Sequence, residues 1–252
     1  MEIIKRNSPN INKGRQGWKP DIIVCHITEG SFDGAVSWLS NPVSQVSSHF
    51  VVGQDGQIVQ LVSIEDTAWM NGTTTADGSR CNKYSKVAAV CERNVNANLF
   101  TIGIEHEGRT AETGGALTPA QQAATIRLIT FIREEVRRIY GIDIPIDRQH
   151  IVGHSDIVPQ WKPDCPGSKF QFDEIIAALK GGVTSPPAQT IPNTSCPAGN
   201  VNNLNPPSDW ARTAWEWAVS KGITDGTNPQ AAPTREQVVQ LLYNFERAIW
   251  EK

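Results

Sequence analysis

The chain of 252 residues contains no run of about 18 apolar residues, the length a helix needs to cross a bilayer. Residues 1–10 lack the apolar core of an export signal. No membrane span is expected, and the cytoplasm is the expected place of synthesis and storage. Nor is there an excess of either charge: 23 Lys and Arg stand against 26 Asp and Glu, a net charge of −3. Nucleic acid and anionic membrane surfaces both need a basic field, so neither is an expected partner. Cysteine is sparse and unpatterned. The five, at positions 25, 81, 91, 165 and 196, are odd in number and form no Cys-x-x-Cys pair. That spacing argues against a disulfide framework and a structural zinc finger, and leaves open whether Cys81 and Cys91 pair.

What is present is ordinary for globular protein: 39% of residues are hydrophobic and 19% charged. Proline and glycine crowd into one stretch, with Gly181, Gly182, Pro186, Pro187, Pro192, Pro197, Pro206 and Pro207. Residues 181–208 have almost no apolar periodicity and read as a linker, semi-stiff where prolines cluster. They divide a body, 1–180, from a tail, 209–252. A body of about 180 residues buries a core without staples, so any metal in it serves chemistry rather than folding.

Within the body, residues 21–27 form a continuous apolar run, the pattern of a strand buried on both faces. Residues 49–53 and 57–62 flank Gln54-Asp55-Gly56, a hairpin signal with glycine in the turn. Further strands are predicted over 98–107 and 149–153. Thr118-Pro119-Ala120-Gln121 opens a long helix as a capping box with proline at its first position, and the helix ends near Gly141. Its apolar stripe is Ile126, Ile129, Ile132, Val136 and Ile139. A last helix covers 172–179. Alternating strands and helices predict an α/β body, a mixed central sheet flanked by helices. In the tail, 210–220 and 235–250 read as two helices of a small C-terminal α-helical domain.

Chemistry enters with His26, at the end of the 21–27 strand, where open α/β sheets place their crevices. A lone histidine there is as well explained by a core hydrogen bond. His154 directly follows a second strand, however, and a proline-broken loop, 155–167, leads away from it. Folded back, that loop brings Asp164 or Cys165 to the histidines. Two imidazoles and one anionic ligand, with a fourth position left to water, describe a catalytic zinc site. His150 and His154 also stand four apart, but the Ile-Val-Gly between them favours a strand over a helical metal pair. On the 98–107 strand, Thr101, Gly103, Glu105 and Glu107 share one face, while Ile102, Ile104 and His106 share the other. The isoleucine face is expected to pack on helices and leave the glutamates toward a cleft.

Several pieces stand in order along the body: Val24-Cys25-His26-Ile27-Thr28, Ser48-His49-Phe50, Asp55-Gly56, Ala68-Trp69, the 98–105 run ending Ile102-Gly103-Ile104-Glu105, and Gly153-His154-Ser155-Asp156 with Lys162-Pro163-Asp164-Cys165-Pro166-Gly167. Together they resemble the zinc N-acetylmuramoyl-L-alanine amidases related to amidase-type phage lysozymes and peptidoglycan recognition proteins. The resemblance covers about 150 residues. It implies one Zn2+ held by His26, His154 and a third ligand, and cleavage of the amide between muramic acid and the first stem-peptide alanine. Family members use either an aspartate at the position of Asp164 or a cysteine before Pro-Gly, at Cys165; Cys165 is preferred because a thiolate holds zinc tightly. The resemblance also picks Glu105 as general base, leaving Glu107 as a solvated strand end. Lys162 becomes the oxyanion-stabilising cation, and His49 and Trp69 are expected to line the substrate groove. Relatives often carry histidine after the tryptophan; here that position is Met70.

The tail, with Trp210, Trp215, Trp217, Gly222, Gly226 and Thr234-Arg235-Glu236, resembles a single S-layer-homology repeat. Such repeats attach proteins to secondary cell-wall polymers, with Arg235 placed to meet acidic groups. Relatives usually carry three copies, so self-association through the tail is one expectation. Peptidoglycan is the implied partner. Wall-directed catalysis, an anchor and no export signal fit a phage or prophage endolysin, cytoplasmic until release. The competing readings are a non-catalytic peptidoglycan-binding module and a cytosolic amidase that recycles muropeptides.

Overall fold

The computed structural model describes residues 1–74 and 81–181. These residues belong to one compact unit, Met1–Pro187. The expected tail, and the expected linker beyond Gly181, lie outside the described residues. In chain order the strands are β1 (Ile4–Lys5), β2 (Ile11–Asn12), β3 (Ile22–Ile27), β4 (Phe50–Val52), β5 (Ile58–Gln60), β6 (Thr67–Ala68), β7 (Thr101–His106) and β8 (Ile151–Gly153). The helices are α1 (Phe32–Leu39), α2 (Ala88–Arg93), α3 (Thr110–Thr113), α4 (Pro119–Tyr140), α5 (His154–Ile157) and α6 (Phe172–Lys180).

The main sheet runs β1-β5-β4-β7-β3-β8 and is mixed: only the β4–β5 hairpin is antiparallel. Strand β3 sits between β7 and β8, and its first five residues are buried. Because side chains alternate along a strand, Ile23 and Cys25 of β3 point with Ile102 and Ile104 of β7 into a core against Leu128, Ile129, Ile132 and Val136 of α4 and Ile175 and Leu179 of α6. Ile22 and Val24 point the other way, onto Val87, Val90 and Phe100. The isoleucine face of β7 thus packs on helices as expected, and His26 and Glu105, directly in register, fall on the opposite face.

Three local readings are corrected. Residues 97–100 form a turn of 3-10 helix, not strand, because the Asn96 side chain accepts from the Asn98 N–H and starts that turn. The capping box before α4 is only half made. Thr118 accepts from the Gln121 N–H, but Gln121 is buried and donates its amide to the carbonyls of Val52 and Glu107, tying α4 to the ends of β4 and β7. Glu107 is not a solvated strand end. Its two carboxylate oxygens accept from the backbone N–H groups of Phe32 and Gln54, clamping two loops together. Cys81 and Cys91 are free thiols, each facing backbone carbonyls.

Candidate active site and metal centre

Strands β3 and β8 are parallel neighbours, so their carboxyl ends deliver His26 and His154 to one place. The imidazole Nδ1 atoms face each other at 3.0 Å. The ring of His154 is oriented from behind, its Nε2 donating to the Asn71 carbonyl at 3.1 Å. That bond puts the proton on Nε2 and leaves the Nδ1 lone pair free. Asn71 is held in turn by Asn98, whose Oδ1 accepts from the Asn71 N–H at 2.9 Å. Sequence reasoning singled out neither asparagine, because a backbone carbonyl leaves no signature in residue type.

The loop after α5 returns as expected. The Ser155 N–H donates to the Cys165 carbonyl at 2.8 Å, pinning Cys165 beside His154. Gly153 leaves the room Pro166 occupies, since a Cβ there would lie 2.8 Å from the proline ring. Gly167 has φ +118 and packs backbone to backbone on Gly114, 2.2 Å from where its Cβ would stand, so this position accepts only glycine. His26, His154 and Cys165 place their ligand atoms all within 4.8 Å of one another. Asp164 is exposed and outside this cluster, on the wall of the cleft.

The group fits a metal ion on its own chemistry. Ligand atoms this close suit one ion at about 2.0–2.3 Å from each, and an N,N,S donor set with an open side is that of catalytic zinc. The Nε2 of His26 is buried and unpartnered, so no hydrogen-bond network accounts for the ring's position. Burial, reinforced by the neighbouring His154, lowers the pKa of His26 well below its ordinary value, and burial brings His154 down to about 4. Both rings are neutral, as ligands must be. Burial pushes the Cys165 thiol up to about 12, with the Glu105 carboxylate adding to it; the Ile27 backbone N–H acts the other way, supporting the thiolate.

These residues line a cleft of about 570 Å³ that also holds Glu105, Lys162 and Trp69. Glu105 is raised to about 7 by burial, with the Lys162 ammonium pulling it down. The Trp69 indole N–H donates to Asn12 Oδ1 at 2.6 Å, which fixes its ring in the wall. His49 is a correction: it is fully buried outside the cleft. Its Nδ1 accepts from the Gly103 N–H and its Nε2 faces the Asp66 carbonyl, so the ring braces β7 and cannot reach a ligand in the groove. Arg235, the proposed wall-polymer contact, lies outside the described residues.

The buried histidines make stability sensitive to acid. Burial lowers His106 to about 4, although its hydrogen bond to the His26 carbonyl acts upward. Burial and the Arg15 guanidinium hold His49 well below its ordinary value. Both folded values are depressed, so the unfolded chain binds more protons. Their contribution is complete above about pH 6.5 and is lost as pH falls, for His106 toward about 4. The urea midpoint of metal-free protein is expected to be lower at about pH 5 than at about pH 7; equal midpoints would contradict this.

Compared with known proteins, residues 16–168 match the family model described as N-acetylmuramoyl-L-alanine amidase. The chain belongs to this amidase family. All five clustered site residues, His26, Glu105, His154, Lys162 and Cys165, fall inside the matched span. N-acetylmuramoyl-L-alanine amidase A of Achromobacter lyticus is 37% identical over 175 residues, covering 65% of this amidase and 85% of that protein. The 1,6-anhydro-N-acetylmuramyl-L-alanine amidase AmpD of Haemophilus influenzae is 29% identical over 137 residues, covering 54% of this chain and 60% of AmpD. Among solved structures, AmiD of E. coli, in complex with anhydro-N-acetylmuramic acid-L-Ala-D-gamma-Glu-L-Lys, is 25% identical with a TM-score of 0.45 and covers 92% of this chain and 82% of that one.

Proposed function

We propose that this amidase is a zinc-dependent peptidoglycan hydrolase, with His26, His154 and Cys165 as ligands, that cuts the amide between the muramic acid lactyl group and the stem-peptide L-alanine. The observation that carries the reading is the convergence of two imidazole nitrogens and a thiol within 4.8 Å, beside Glu105, in a cleft inside the family-matched span. A zinc ion held there supplies Lewis acidity to the scissile carbonyl and to the attacking water. Glu105, with a pKa near 7, takes the proton from that water and returns it to the leaving alanine nitrogen. Lys162 sets its positive charge beside the carbonyl oxygen as that oxygen becomes anionic. Trp69 forms a fixed wall for the substrate.

On this reading the enzyme works on the cell wall after release from the cytoplasm, as an endolysin does, and the S-layer-homology-like tail tethers it there through Arg235. The complete set of catalytic side chains favours hydrolysis over a purely binding role. Digestion of purified cell walls with zinc-loaded protein tests the proposal. New alanine amino termini without new reducing sugars are expected, abolished by a chelator and restored by zinc. Reducing ends would overturn the bond assignment, and chelator-resistant cleavage would overturn the zinc dependence.

A further inference from the structure

Four tryptophans fall within the described residues, at positions 18, 38, 69 and 161. Three of them, Trp38, Trp69 and Trp161, line the active-site cleft. Trp18 instead packs against Phe100 and the Arg93 guanidinium. Trp69 is fixed to Asn12, but Trp38 and Trp161 are 55% and 61% exposed, and neither ring has an aromatic or cationic partner among the described residues. Large indoles left in water inside a concave site are the mark of a binding surface.

Their supports are rigid. Trp38 is the penultimate residue of α1, a helix anchored by buried Leu39, and α1 follows the strand that carries His26. Trp161 lies in the loop after α5, the short helix that begins with His154. Its backbone N–H donates to the Val158 carbonyl, and so does that of Lys162, which fixes the turn. Each of the two histidines is thus followed along the chain by a segment that presents one exposed indole to the cleft. Exposed Val46 lines the same cleft beside them.

We propose that Trp38 and Trp161 form a sugar-binding subsite that takes the N-acetylhexosamine rings of the glycan on the muramyl side of the scissile bond. The inference rests on the amidase reading and names the part of its substrate these rings hold. Beside the bond that is cut, the substrate offers two chemistries. The stem peptide begins with an alanine methyl and presents no flat apolar plate. A pyranose ring does, through the C–H groups of one face, and it matches an indole in size and shape. The rings stand on two separate elements, so the subsite is preformed, and holding the sugar positions the lactyl amide over His26 and His154.

Tryptophan fluorescence and steady-state kinetics test this together. The probe for binding is the peptide-free disaccharide of N-acetylglucosamine and N-acetylmuramic acid, which carries no scissile amide and is added to the zinc-loaded protein. Saturable change of fluorescence is expected in the wild type, weakened by about tenfold in Trp38→Leu and Trp161→Leu. Both residues are exposed, so circular dichroism should be unchanged. With zinc loaded, the variants should raise KM for a muramyl peptide by about tenfold with kcat within about threefold, and cleave a lactyl peptide lacking the sugar ring as the wild type does. Wild-type disaccharide affinity in both variants, or equal KM changes on the two substrates, would overturn the subsite. Failure of zinc-loaded wild type to release alanine amino termini from either substrate would overturn the amidase reading instead.

Discussion

Glu105→Gln should bind a full equivalent of zinc and lose about 10²–10⁴-fold in kcat. The substitution keeps the size and shape of the side chain and removes only its ability to take a proton. Glu105 is the β7 residue in register with His26, on the face turned away from α4, and it lines the same cleft as His26, His154 and Cys165. Burial lifts its carboxyl to about 7, where a base is strong enough to accept a proton yet still ionised near neutrality. Zinc content, circular dichroism and single-turnover rates on a muramyl peptide are the measurements. Wild-type turnover would remove Glu105 from the chemistry. The internal control is Glu107→Gln, two residues further on and just past the end of β7. There both oxygens are engaged by the N–H groups of Phe32 and Gln54, so an amide turns one donor toward another donor. The expected outcome is lower stability with kcat preserved, the reverse of the Glu105 signature.

The two glutamates also show where sequence is legible. Alternation along β7 separates the helix-packed isoleucines from the glutamate face, and both structure and pattern agree on it. Alternation cannot say what each carboxylate meets, because that depends on segments from elsewhere in the chain, here the first residue of α1 and the β4–β5 turn. The same limit explains His49. The resemblance implied a groove contact for it, yet the backbone N–H of Gly103 and the carbonyl of Asp66 claim its ring nitrogens. Strong local signals survived intact: the apolar run of β3, the glycine turn of the hairpin, and proline and glycine at the two ends of α4. The amphipathic helix α1, with its serine cap at Ser31, was legible in principle but passed unread, and with it Trp38.

Cys165→Ser is expected to lower zinc affinity by more than about 100-fold, beyond the 10–100-fold typical of groups that merely support a ligand, while Asp164→Asn keeps a full equivalent. The two residues are adjacent, and both were open as third ligand from sequence. Their placement differs. The Cys165 Sγ lies in the cluster with one imidazole nitrogen of each histidine and receives the Ile27 N–H, whereas Asp164 is exposed and lines both the cleft and a second, smaller pocket. A thiol buried enough to hold its proton up to about 12 loses that proton readily only to a cation that binds the sulfur, so metal uptake should release acid. Serine cannot substitute, because its hydroxyl is a far weaker acid and a harder donor. Cobalt in place of zinc gives a direct reading, since a sulfur-to-metal charge-transfer band appears only when a thiolate is bound. The band should be present in wild type and in Asp164→Asn and absent in Cys165→Ser. If the serine variant keeps a full equivalent of metal, or if Asp164→Asn loses it, the third ligand is the carboxylate and the loop must turn one residue further toward the histidines than it does; a band that persists in the serine variant would put a different thiolate on the metal.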